Sequence, residues 1–157
     1  MSKFTQYLGY AWAGPVTVFG LAYAGLFGLL RWYTWVGKRG DSLVWRVSPK
    51  APAWLLKAWS GWSGQTIGQV VVICVDPDTY PGQVTLLHES HHVMQCMRLG
   101  VLWPILYGLT WLAIKVACRN SDAYFDNPFE IDARRGSRQT VDVVGLKKRM
   151  TDRIAKG

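Results

Sequence analysis

The chain is short of acid: its 157 residues hold 18 Lys and Arg against 10 Asp and Glu, a formal charge of +8. Such a balance suits a polyanionic partner, yet no RNA- or DNA-binding motif is present, so nucleic acid is set aside. Cysteine is scarce too. Cys74, Cys96 and Cys118 are the three, and no C-x-x-C spacing joins them. That excludes a disulfide framework or a cysteine-built metal site, and leaves buried thiols in a reducing compartment. Histidine is limited to His88, His91 and His92, a single cluster. Internal repeats and low-complexity segments are missing. From Phe4 to Leu30 there is no charged residue at all.

What that uncharged run contains points to a membrane. Trp12 stands near one end, Trp32 and Trp35 at the other. A helix from Trp12 to Trp32 would be about 30 Å long, the thickness of the hydrocarbon core, with aromatic residues at both interfaces. Gly20, Ala24 and Gly28 recur at every fourth position, a small-residue stripe suited to helix–helix packing and to a homo-oligomer. A cleaved signal peptide fits poorly, because Lys3 is the sole leading charge and the apolar run is too long. Arg31, Lys38, Arg39, Arg46 and Lys50 all follow the run, so the positive-inside rule puts the remainder of the chain in the cytoplasm. Nine tryptophans and eight Lys or Arg beyond Ala133 favour an anionic lipid surface.

The three histidines spell a metal motif. Leu87-His88-Glu89-Ser90-His91-His92 contains His-Glu-x-x-His. On a helix, His88 and His92 share a face one turn apart, so both imidazoles reach one ion. Glu89 follows the first ligand, where its carboxylate can polarise a water without ligating the metal. Catalytic zinc sites use three protein ligands, and with no fourth histidine the third is a carboxylate or a cysteine. Asn127-Pro128-Phe129-Glu130-Ile131-Asp132 opens a second helix, with Asn127 as N-cap and Pro128 at the first position. Alone, Glu130 would read as a capping or dipole-stabilising glutamate. Beside the histidines it becomes the leading third ligand, with Asp132 the second choice. His91 lies at i+3 from His88 and competes as a ligand.

Three segments together resemble a known family. Val71-Val72-Ile73-Cys74-Val75-Asp76-Pro77, Leu86 to Gln95 with its His-Glu-x-x-His-x-x-Gln, and Tyr124-Phe125-Asp126-Asn127-Pro128-Phe129-Glu130 are similar to the small gluzincin-type zincins of bacteria and phages. The likeness covers roughly residues 66–135. It implies an α+β, zincin-like core made of a short edge strand or sheet, an active-site helix and a third-ligand helix. It further implies zinc at His88, His92 and Glu130, with Glu89 as general base in hydrolysis of a peptide or protein substrate. In that family the strand borders the cleft and can accept an extended peptide as a further strand. An oxyanion donor is also required; Tyr124 is the leading side chain, with Tyr107, Tyr80 and Arg98 as alternatives.

The organisation expected is then an apolar transmembrane anchor over 1–36, a junction over 37–65, and the zincin-like domain over 66–157. The junction is turn-rich from 37 to 50 and carries a short helix, interfacial or capping the core, from Ala51 to Trp62. Thr66 to Val75 reads as one strand and Pro81 to Leu99 as the active-site helix, stopped by Gly100. Val101 to Ile114 is uncharged but too short to cross a bilayer, so a buried helix is expected ahead of a re-entrant one. Ser137 to Lys156 reads as a helix with a basic face. The function expected is a membrane-associated zinc metallopeptidase. A zinc hydrolase of lipid or cell-wall amides and a catalytically inactive interaction module are the alternatives.

Overall fold

The computed structural model describes residues 3–117 and 121–139. The expected basic helix falls almost wholly outside the described residues, as does Cys118. The fold is α+β, in the order α1 (Lys3–Leu29), β1 (Tyr33–Arg39), β2 (Ser42–Val47), α2 (Ala53–Trp59), β3 (Gly64–Ile67), β4 (Val70–Ile73), α3 (Tyr80–Leu99), α4 (Leu102–Ala117) and α5 (Pro128–Gly136). The four strands form one mixed sheet in the order β1-β2-β4-β3. The outer pairs are antiparallel hairpins, and β2 runs parallel to β4 with Val44 opposite Val71.

Two sequence expectations change here. Residues 37–50 are not a junction: most of them build the β1–β2 hairpin and so half of the sheet. The β-branched run from Thr66 is not one strand but two, folded back at Gly68. Gly68 takes φ +65°, and a Cβ there would lie 2.5 Å from the backbone nitrogen of Thr17. Only glycine meets both demands. Gln69 N–H donates to Thr17 Oγ1 at 3.1 Å, which ties the hairpin tip to α1.

All four residues of β4 are buried, because helices cover both faces of the sheet. Val71 and Ile73 pack with Val93, Cys96 and Met97 of α3 and with Trp103 of α4. Val70 and Val72 pack with Ala24 of α1 and with Leu55 and Trp59 of α2. An uninterrupted Val-Val-Val-Ile sequence is what a strand covered on both faces calls for. The short helix α2 therefore closes the sheet face opposite α3.

Helix α1 is long and apolar enough to cross a membrane. It is not a detached anchor, however. Gly9, Ala13, Thr17, Gly20 and Ala24 form its buried stripe, along α3 and then across the sheet. A Cβ on Gly20 would lie 2.4 Å from the Ile67 carbonyl oxygen, and one on Gly28 would lie 2.8 Å from the Trp45 ring. The Gly20/Ala24/Gly28 stripe thus packs on the chain's own sheet. The expected burial of residues 101–114 is also corrected. In α4 only Trp103 is buried; Ile105, Leu109, Leu112 and Val116 lie exposed.

Candidate metal centre

Helix α3 starts at Thr79, whose side chain accepts from Gly82 N–H, with Pro81 in the first turn. It ends at Gly100, φ +59°, where Trp12 of α1 lies so close that a Cβ would meet its indole nitrogen at 2.5 Å. Between these stops, His88 and His92 fall one turn apart and both are buried. Helix α5 starts on Asn127, which accepts from Phe129 N–H at 3.0 Å and places Glu130 in the first turn facing α3. His88 Nε2 lies 3.2 Å from Glu130 Oε2, His92 Nε2 lies 3.2 Å from Glu130 Oε1, and the two Nε2 atoms are 3.2 Å apart. His88, His92 and Glu130 are therefore a buried group that could hold a metal ion.

The surroundings of this group are polar and ordered. Gln95 was not singled out by its own chemistry in the sequence. Its carboxamide oxygen accepts from His92 Nδ1 at 2.9 Å and from Trp103 Nε1 at 3.2 Å. Its amide donates to the Phe129 carbonyl at 3.0 Å and to Asp132 Oδ2 at 2.8 Å. Two donors on one side and two acceptors on the other fix the orientation of the carboxamide. They also fix the proton of neutral His92 on Nδ1, so Nε2 presents a lone pair to His88 and Glu130. Two imidazole nitrogens and a carboxylate at such spacing repel one another unless a proton or cation lies among them, which is how a metal's donors are arranged. His88 Nδ1, by contrast, is buried with no partner among the described residues.

Glu130 is held from two further sides. Tyr107 of α4 donates to Oε1 at 2.9 Å, and Arg134 Nη2 reaches Oε2 at 3.5 Å. Burial alone would raise its pKa, but the bonds and charges of His88 and His92 hold it well below the usual glutamate range. Burial likewise opposes protonation of His92, and Glu130 outweighs it, so the imidazole titrates above its ordinary value. Asn127 is steadied by Thr110 and by the Tyr107 carbonyl, both on α4.

Glu89 occupies a different niche beside the same group. Its Oε2 accepts from Thr66 Oγ1 at 2.7 Å, and burial pushes its pKa up. Thr66 and Gly64 both belong to β3, the edge strand. A Cβ on Gly64 would lie 2.6 Å from Glu89 Oε1, so glycine leaves the space that the carboxylate occupies. The strand that borders the site is therefore β3. Of the Thr66 to Val75 run expected there, Thr66 and Ile67 lie in this edge strand, and Val70 to Ile73 form the interior strand β4.

Other expected residues fall elsewhere. His91 turns away: its Nδ1 meets the Leu87 carbonyl at 2.9 Å, and its Nε2 packs where a Cβ on Gly136 would be only 1.8 Å away. It is not among the three donors. Asp132 binds Gln95 and leaves the third donor position to Glu130. Tyr124 sits close by, between Trp62 and the Arg134 guanidinium, 5.1 Å from its ring. Burial first, then the charges of Glu130 and Glu89, push its phenol up to about 12. Tyr80 is exposed, as is Arg98, which makes no contact with the three donors. Comparison with protein-family models, with curated proteins and with solved structures finds no match to this chain.

Proposed function

We propose that this chain is a membrane-associated zinc metallopeptidase with a gluzincin-like, zincin-type centre. The observation that carries the reading is the set of three 3.2 Å separations among His88, His92 and Glu130, with Glu89 one residue beyond the first donor. At zinc–ligand distances of about 2.0–2.1 Å, tetrahedral donors stand about 3.3–3.4 Å apart. Two imidazoles and a carboxylate also match zinc's preference in catalytic sites. Zinc bound there would lower the pKa of a coordinated water toward neutrality and polarise a substrate carbonyl.

The chain's own groups supply the rest. Glu89 accepts the proton of the attacking water and delivers it to the leaving amine. Thr66 aims the Glu89 carboxylate, and Gln95 aims His92. Tyr124 is the side chain proposed to donate to the oxyanion. The edge of β3 beside Glu89, unpaired among the described residues, offers an extended peptide a partner for backbone pairing.

The apolar flanks of the molecule favour one second reading, zinc-dependent hydrolysis of an amide within a lipid or cell-wall substrate. One comparison separates these readings. Wild type, Glu89→Gln and His88→Ala are purified in parallel, assayed for zinc, and tested on a quenched-fluorescence peptide library. About one zinc in wild type and Glu89→Gln, none in His88→Ala, and hydrolysis by wild type alone is the expected result. Zinc without peptide cleavage would move the reading to the lipid amide. No zinc after reconstitution would sink both.

A further inference from the structure

Helices α1 and α4 share an unusual design. Each is most deeply buried along one stripe. In α1 the stripe is Gly9, Ala13, Thr17, Gly20 and Ala24; in α4 it is Trp103, Tyr107, Thr110 and Ile114. Tyr10, Val16, Tyr23 and Phe27 of α1 are partly buried against the cores, and much of the rest of both helices is exposed and apolar, as at Phe19 (67%) and Leu109 (57%). A surface helix in water carries polar residues outward, whereas one that is apolar all round is either buried or in lipid. Within 102–117, Lys115 is the sole charged residue. Its ammonium lies 4.5 Å from the Trp111 ring centre near the helix end, as at a bilayer interface. Thr110 returns its hydroxyl proton to the Leu106 and Tyr107 carbonyls, so it leaves no donor needing water.

The two faces meet. Trp12 lies on Gly100 at the corner between α3 and α4, where the chain bends by 114°. At 16 residues, α4 is about 24 Å long, too short to cross the hydrocarbon core. With α1 long enough to cross, α4 would dip into one leaflet. The net charge of +8 complements anionic headgroups.

We infer that α4 is a second membrane-contacting helix and that it sets the metal centre at the bilayer surface, to act on polypeptides held in or on the membrane. The link to the centre is direct, because the inward stripe of α4 is also its wall. Trp103 donates to Gln95, Tyr107 donates to Glu130, and Thr110 Oγ1 lies 3.3 Å from Asn127 Oδ1. The substrate part of this inference rests on the peptidase reading; the surface part does not.

The test uses the full chain with a benzophenone amino acid in place of Leu109, Leu112, Phe19 or Lys57. Each is reconstituted in vesicles of phosphatidylcholine and phosphatidylglycerol, irradiated, and examined by mass spectrometry. Lipid adducts at Leu109 and Leu112 as at Phe19, but not at Lys57, are expected. Protein–protein crosslinks at Leu109 instead would show a second copy covering α4 and overturn the inference, as would water-only behaviour there. In parallel, one peptide is supplied free and with an acyl chain that holds it in the vesicle. The acylated form should be cleaved several-fold faster, and equal rates would overturn the substrate assignment. Lipid adducts with zinc but no cleavage of either peptide would support the surface and sink the peptidase reading.

Discussion

His92 Nδ1 and the carboxamide oxygen of Gln95 lie 2.9 Å apart, three residues along the same helix. That oxygen also receives Trp103 Nε1, while the amide on the other side is held by Phe129 and Asp132. Gln95 therefore joins α3, α4 and α5 at one point and points the bare nitrogen of His92 at the other donors.

Gln95→Leu should weaken metal binding by about 10- to 100-fold, the range for loss of a partner that orients a ligand histidine. Chelator competition measures this. The fold should lose about 1–3 kcal/mol, since Trp103 Nε1 and Asp132 are left unpaired in a buried setting. Unchanged metal affinity in a folded variant would mean that His92 needs no such orienting.

Gly64→Ala probes Glu89 without touching it. The new methyl would sit 2.6 Å from Glu89 Oε1, and the carboxylate must yield because the strand backbone cannot. Hydrolysis should fall by at least about tenfold, as misplaced proton-transfer groups lose much of their 10²–10⁴-fold contribution. Zinc content should stay at one per chain. Gly61→Ala, with nothing within 4 Å, is the matched control and should behave as wild type. Equal activity in both variants would disconnect β3 from the chemistry.

His88, His92 and Glu130 were legible because each rests on local rules. The histidines are one helical turn apart, and Asn127-Pro128 announces where the next helix begins. Helix α1 was legible from its lack of charge, and the end of α3 from Gly100. What stayed hidden depends on partners distant in sequence. Gly68 looks like any residue of a β-branched run until Thr17 is seen lying on it. Strands as short as β3 carry too few residues for a period of two to stand out. Asp132 and Glu130 were both reasonable donors, and only the packing of α5 on α3 assigns one to the metal group and the other to Gln95.

His91→Ala should leave zinc stoichiometry and chelator resistance unchanged, because His91 bonds the Leu87 carbonyl and packs on Gly136. Gly136→Ala, by contrast, drives a methyl to within 1.8 Å of the His91 ring and should destabilise the fold by about 1–3 kcal/mol. Adding His91→Ala to Gly136→Ala should recover most of that loss. Zinc lost in His91→Ala alone would restore it as a ligand.

Without metal, the stability of the centre should depend on pH in a defined direction. Glu130, held below an unfolded glutamate near 4.5, stabilises the fold above that value and ceases to do so as pH falls through its folded pKa. His92, held above an unfolded histidine near 6.5, stabilises the fold below that value and ceases to do so as pH rises through its folded pKa. Burial raises Glu89 and acts in the same sense as His92. The metal-free chain should thus melt higher near pH 5.5 than near pH 8. Zinc competes with the proton on His92, so its added stabilisation should be larger at pH 8. Calorimetry with and without chelator, at both values, would sink this account if the order were reversed.

Gly20 and Gly14 together ask whether α1 belongs to the fold or merely tethers it. A side chain on Gly20 would drive into the Ile67 carbonyl and Val70, whereas one on Gly14 has nothing within 4 Å. Gly20→Val should cost about 1–3 kcal/mol through overpacking of the sheet. Gly14→Ala should be neutral or gain up to about 1 kcal/mol from helix propensity. If α1 were a free tether, both variants would unfold in urea like wild type. The expected separation between them would show that the sheet folds against the apolar helix, and that detaching α1 to make a soluble domain would expose Val70 and the Gly68 turn.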